Sequence, residues 1–180
     1  VWVVRFPKAT LRHGTPLAIN LHEAGEWSSI ATDRADPSGL EHAGNYRKFH
    51  TAPPALGQGD KVLGFTDPRL LRRTAAQMEQ VRVLFHHAPN LVSSSAIAGF
   101  DPATGKVDLA RRELKVQKDK AGPAFRYALQ NAPTALMQGT WVVREEAGAT
   151  IALYYFPRDP ANLDGRIEIS TRDHCLDFGA

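Results

Sequence analysis

Apolar and polar positions alternate at a period of two along much of this chain, and the clearest run is Gly139 to Phe156, GTWVVREEAGATIALYYF. Successive side chains of a strand point to opposite faces, so Trp141 and Val143 share one face, with Val142 and Arg144 on the other. In the second half Ile151, Leu153 and Tyr155 point one way, while Thr150, Ala152, Tyr154 and Phe156 point the other. A hairpin apolar on both sides is expected inside a sheet covered on two faces, or in the wall of a filled barrel.

The same alternation predicts strands at Val1–Phe6 and Leu17–His22, with His13-Gly14-Thr15 as the turn of an opening hairpin. Ser94–Phe100 and Lys106–Leu109 read as a second hairpin around Asp101-Pro102-Ala103-Thr104-Gly105, where proline and glycine suit the turn. Glu113–Gln117, Ala124–Gln130 and Arg166–Ser170 are further expected strands. One segment departs from this period. Leu70, Leu71, Thr74, Met78, Val81 and Phe85 recur at helical spacing behind Asp67 as N-cap and Pro68 in the first turn, which predicts a helix over about Pro68–His87.

Between about 33 and 60 the prolines Pro37, Pro53 and Pro54, with four glycines, interrupt regular structure. A long irregular loop is expected there, with room for a short helix around Leu40–Phe49. One helix cannot cover a parallel sheet. The expectation is therefore a single α+β domain over residues 1–180, β-dominated, with a curved antiparallel sheet or barrel and one main amphipathic helix.

Composition narrows the function classes. The 180 residues carry 43% hydrophobic and 8% aromatic content, ordinary for a globular chain, and a formal charge of +3. The lone Cys175 rules out an intramolecular disulfide and a cysteine-based zinc site, and it leans toward a reducing, cytoplasmic compartment. No apolar run reaches the roughly 18 residues of a membrane-spanning helix. The chain opens on Val1 rather than methionine, so either a leader has been removed or the sequence begins inside a longer product.

No complete catalytic motif is present. His22, Glu23 and Glu26 are the densest group of histidine and carboxylate, but strand neighbours face opposite ways, and the expected structure is a strand-end turn with solvated charges. Asn162 to Ile167 matches the middle of a calcium loop, yet Pro160 and Thr171 occupy its first and last ligand positions. Asp173, His174 and Cys175 are consecutive and cannot converge from an extended segment. His86 and His87 are expected to close the helix, where its dipole favours positive charge. The serines Ser93 to Ser95 lack a nucleophile elbow, and Gly57-Gln58-Gly59 lacks the rest of a nucleotide fingerprint. No metal and no cofactor is expected.

Charge is the stronger signal. Residues 111–126 hold Arg111, Arg112, Lys115, Lys118, Lys120 and Arg126 against Glu113 and Asp119, a local excess of four positive charges on a chain whose total is +3. Arg69, Arg72 and Arg73 add cations on the expected helix, and Arg47 and Lys48 sit between Tyr46 and Phe49 on the long loop. Together they predict a basic surface for an acidic partner, with nucleic acid ahead of protein and the aromatics available to stack on bases. The plainer reading is a solvated edge strand whose lysines discourage aggregation. The alternative function is a binding protein or enzyme that holds a small apolar ligand inside the barrel, lined by His22, Tyr127, Trp141 and Tyr155.

Overall fold

The computed structural model describes residues 1–11, 19–33, 47–48, 64–88, 91–110, 126–161, 163 and 166–170. They form twelve strands and a single short α-helix, giving a β-dominated molecule with two curved, mainly antiparallel half-barrel sheets. The chain divides into two compact units, residues 1–31 with 136–180, and residues 32–135. Each has its own six-stranded sheet.

In the first unit the strands are β1 (Trp2–Pro7), β2 (Asn20–Glu23), β3 (Glu26–Ile30), β10 (Thr140–Glu146), β11 (Thr150–Phe156) and β12 (Ile167–Ser170), in the order β1-β11-β10-β3-β2-β12. All pairs are antiparallel except a two-residue parallel contact of β10 with β3. The β10–β11 hairpin is the ribbon that stood out in the sequence, and it is buried on both faces. Trp141, Val143, Ile151, Leu153 and Tyr155 join Leu11, Ile19 and Leu21 in one core, while Val142 and Ala152 are buried on the opposite face. The expected opening hairpin does not form. β1 pairs with β11, which sets Trp2, Val4 and Phe6 opposite Tyr155, Leu153 and Ile151, whereas β2 pairs with β3 and β12. Its proposed turn at 13–15 lies outside the described residues. Apolar surface on a distant strand outweighed closeness in sequence.

The second unit contains β4 (Arg47–Lys48), β5 (Gly64–Thr66), β6 (Arg82–Ala88), β7 (Leu91–Asp101), β8 (Lys106–Leu109) and β9 (Arg126–Gln130), in the order β4-β9-β6-β7-β8-β5. Phe65, Leu70, Met78, Val81, Val83, Phe85, Val107, Leu109, Tyr127 and Leu129 fill its core, with the Phe65 ring 4.6 Å from Tyr127 at a tilt of 47° and edge-on to Phe85. The β7–β8 hairpin turns where expected. Asp101 accepts the Ala103 N–H and the Thr104 hydroxyl, and Gly105 takes the left-handed conformation at φ 69°.

The long helix is the main correction. Asp67 does cap a helical turn, accepting the Arg69 N–H at 2.9 Å, but that turn is a 3₁₀ segment of three residues, Pro68–Leu70. The α-helix, α1, covers only Ala75–Met78, opened by a capping box between Thr74 and Gln77. Gln80 then adopts φ 58°, which ends helical winding, and Arg82–Ala88 becomes β6. Val81 and Phe85 fit a period of 3.6, but together with Val83 they fit a period of two, and all three point into the core. Their β-branched and aromatic side chains, with β7 and β9 to either side, decided for a strand. His86 and His87 accordingly lie on β6 and close no helix. In the long loop, Arg47–Lys48 is extended, and the rest of the short helix expected at 40–49 lies outside the described residues.

Candidate functional site

The basic residues divide into those tied to carboxylates and those placed by backbone register. Asp67 is fully buried and receives Arg69 through its backbone N–H, its Nε at 2.8 Å and its Nη2 at 2.5 Å, together with the hydroxyl of buried Tyr127. Burial opposes charge on this carboxyl, but the hydrogen bonds from Arg69 and Tyr127 outweigh it and hold the group below the usual carboxylate range. Arg69 is therefore a structural cation. Arg73 pairs with Asp33 at 3.4 Å, and Arg72 is exposed on the same loop.

In the ladder of this sheet the register sets Lys48 of β4 opposite Arg126 of β9, and Arg126 opposite His86 of β6. Arg47 lies opposite Tyr127 in the same ladder. Arg126, the last residue of the basic segment 111–126 in sequence, is the first residue of β9, and β4 pairs with it there. Arg111, Arg112, Lys115, Lys118 and Lys120 lie outside the described residues, as does the strand expected at 113–117.

The four residues expected to line a ligand pocket are not gathered within one unit. Trp141 and Tyr155 are buried in the first unit's core, with the Trp141 Nε1–H donating to the Ser28 carbonyl at 3.0 Å. His22 is half-buried on the face of β2 opposite Leu21 and Glu23, and Tyr127 belongs to the second unit. An open groove of about 390 Å³ is formed by Ala75, Ala76, Met78, Ile97, Gly99 and Phe100, with Glu79 and Gln80 also on its wall. It contains none of the four.

A second buried carboxylate escaped the sequence reading. Glu23 was expected in a solvated turn; instead it is 2% exposed and sits at the hub of a network in the first unit. Its Oε2 accepts the Tyr155 hydroxyl at 2.5 Å and the Arg158 N–H at 2.8 Å, its Oε1 accepts the Asp159 N–H at 3.2 Å, and the Arg166 guanidinium lies 3.9 Å away. Ser28 Oγ stands 3.1 Å from the Tyr155 oxygen, and it donates there because the phenolic proton is engaged by Glu23. Burial pushes the Glu23 carboxyl up, yet these donors prevail and hold it below its ordinary value; the Tyr155 phenol is pushed up by burial and by the adjacent carboxylate. The correction has a local cause. Ala24 and Gly25 both take positive φ, 52° and 80°, making a two-residue turn so tight that Glu23 keeps the inward direction of its strand.

Both networks consist of a buried carboxylate, a core tyrosine and arginine, and every oxygen has a donor. Their chemistry is that of fixed, charged crosslinks between elements. Among the described residues no group of three or more His, Cys, Asp or Glu side chains could hold a metal ion, and no helix is long and apolar enough to cross a membrane. No protein family, no curated protein and no solved structure matches the chain.

Proposed function

We propose that the protein is a non-catalytic binding module that engages an acidic partner, nucleic acid ahead of protein, through residues 111–126 and the neighbouring β4 strand. The supporting observation is the register Lys48–Arg126–His86, which pairs β4 with the last residue of a segment whose sequence carries four excess positive charges. Phosphates are neutralised by such a cluster with release of counterions, and an aromatic beside it supplies a stacking surface that tolerates any base. Arg69 and Arg73 serve their carboxylates, whereas Arg72 is exposed.

Fluorescence anisotropy of a labelled single-stranded oligonucleotide between 50 and 300 mM salt (roughly the range over which phosphate contacts dominate) tests this reading. Affinity should fall steeply with salt, and replacing Lys115, Lys118 and Lys120 with Gln should flatten the log–log slope by about 2, given ~0.7 per phosphate contact on a single strand. Arg69→Gln should lower stability through Asp67 and leave that slope alone. A salt-independent affinity, or a triple variant that binds like the parent, would overturn the reading.

A further inference from the structure

The first unit carries a surface of a different chemistry, independent of the basic segment. Trp27 is 62% exposed on β3. A large aromatic that stays in water while its sheet buries a core is the informative exception in an apolar-inside pattern. Register shows its company. His22 of β2 is directly opposite Trp27, and Glu168 of β12 is directly opposite His22, so the three form a row across three adjacent strands. Asn20 and Ser170, two residues along their strands, form the next row on that face, with Ser29 two residues beyond Trp27. Leu21, Ser28, Ile30, Ile167 and Ile169 take the alternate positions and pack inward.

The hairpin that presents Trp27 is braced from behind. Arg158 donates to the Trp27 carbonyl at 2.6 Å and approaches the Glu26 carboxylate at 3.7 Å, while its own N–H is held by Glu23. The result is one indole on a row of hydrogen-bonding side chains fixed by a regular ladder. We propose that this face of β3, β2 and β12 is a carbohydrate platform: the C–H face of a neutral sugar ring stacks on Trp27, and its hydroxyls bond to His22, Glu168 and Asn20.

The choice of ligand class follows from the charges. The indole face is negative and attracts the weakly positive C–H bonds of a pyranose, and a few placed polar groups orient such a ligand. A nucleotide would also stack, but its phosphates would meet the Glu168 carboxylate in the same row. A purely apolar partner would strand the polar groups of Asn20, His22 and Glu168.

Affinity electrophoresis in gels containing hydroxyethylcellulose, xylan, laminarin, galactomannan or pullulan reads this out. At least one polymer should retard the protein. Trp27→Ala should abolish that retardation, Trp27→Phe should retain part of it, and Asn20→Ala or Glu168→Gln should weaken it about three- to tenfold, the effect of one hydrogen bond. Circular dichroism of Trp27→Ala should match the parent, since the side chain is largely in solvent. Absence of retardation by all five polymers, or retardation that survives Trp27→Ala, overturns the platform. Oligonucleotide affinity measured on the same variant should be unchanged; if it falls instead, Trp27 stacks bases and the carbohydrate assignment is wrong.

Discussion

A carboxylate in an apolar interior keeps its charge only where donors replace the water it has lost. Glu23 does so with a phenol, two backbone N–H groups and a guanidinium, and Asp67 with a phenol and three nitrogens of Arg69. Tyr155→Phe removes one donor from a buried anion and is expected to cost about 1–3 kcal/mol at neutral pH, read as a lower urea midpoint with unchanged slope. The pH dependence has a definite sign. Both carboxyls lie below their ordinary values in the folded protein, so the unfolded chain takes up protons first. Their stabilisation is present above the usual carboxylate range and is lost as pH falls from there through the folded values. The gap in urea midpoint between the parent and Glu23→Gln should therefore narrow from pH 7 to pH 3; a constant gap would show that folding does not shift the Glu23 carboxyl, and a widening one that it is neutral when folded. Asp67 was legible in the sequence because a cap before Pro68 is a local signal. Glu23 was not, since nothing near it in sequence names Tyr155 or Arg158 as its donors.

Among elements, the stretch from Thr74 to Ala88 shows how two periodicities can share the same residues. Its helical part is a single turn fixed by the Thr74–Gln77 capping box, and Thr74→Ala is expected to destabilise by about 1 kcal/mol in thermal or urea unfolding. The β7–β8 turn tests a different constraint. Gly105 has φ 69°, and a Cβ placed there would come within 2.4 Å of the Asp67 carbonyl oxygen, which is backbone and cannot swing aside. Gly105→Ala should thus cost more than the ~1 kcal/mol of an ordinary left-handed alanine, and the loss should be shared by Asp67→Asn if both act on the same junction, giving less than additive effects. The turn itself was readable from Asp101 to Gly105, whereas its contact with Asp67, across 38 residues of chain, was not.

At the scale of the whole molecule, the two larger cores among the described residues share no residue. Leu153 lies in one and Val83 in the other, each fully buried. Leu153→Ala should cost about 2–5 kcal/mol, and combining it with Val83→Ala should give the sum of the single effects to within about 0.5 kcal/mol, measured by urea unfolding. A large coupling between them would mean that the two cores act as one. The sequence by itself determined the β-dominated class, the two-faced hairpin at 139–156, the turn at 101–105 and the concentration of charge in 111–126, because alternation, turn chemistry and net charge are properties of neighbours along the chain. Only the tertiary structure decided that β1 joins β11, that Arg82 to Ala88 is strand rather than helix, and that Glu23 turns inward. Each of those outcomes depends on which distant residues supply the apolar surface, the ladder partner or the hydrogen-bond donor, and no local pattern carries that information.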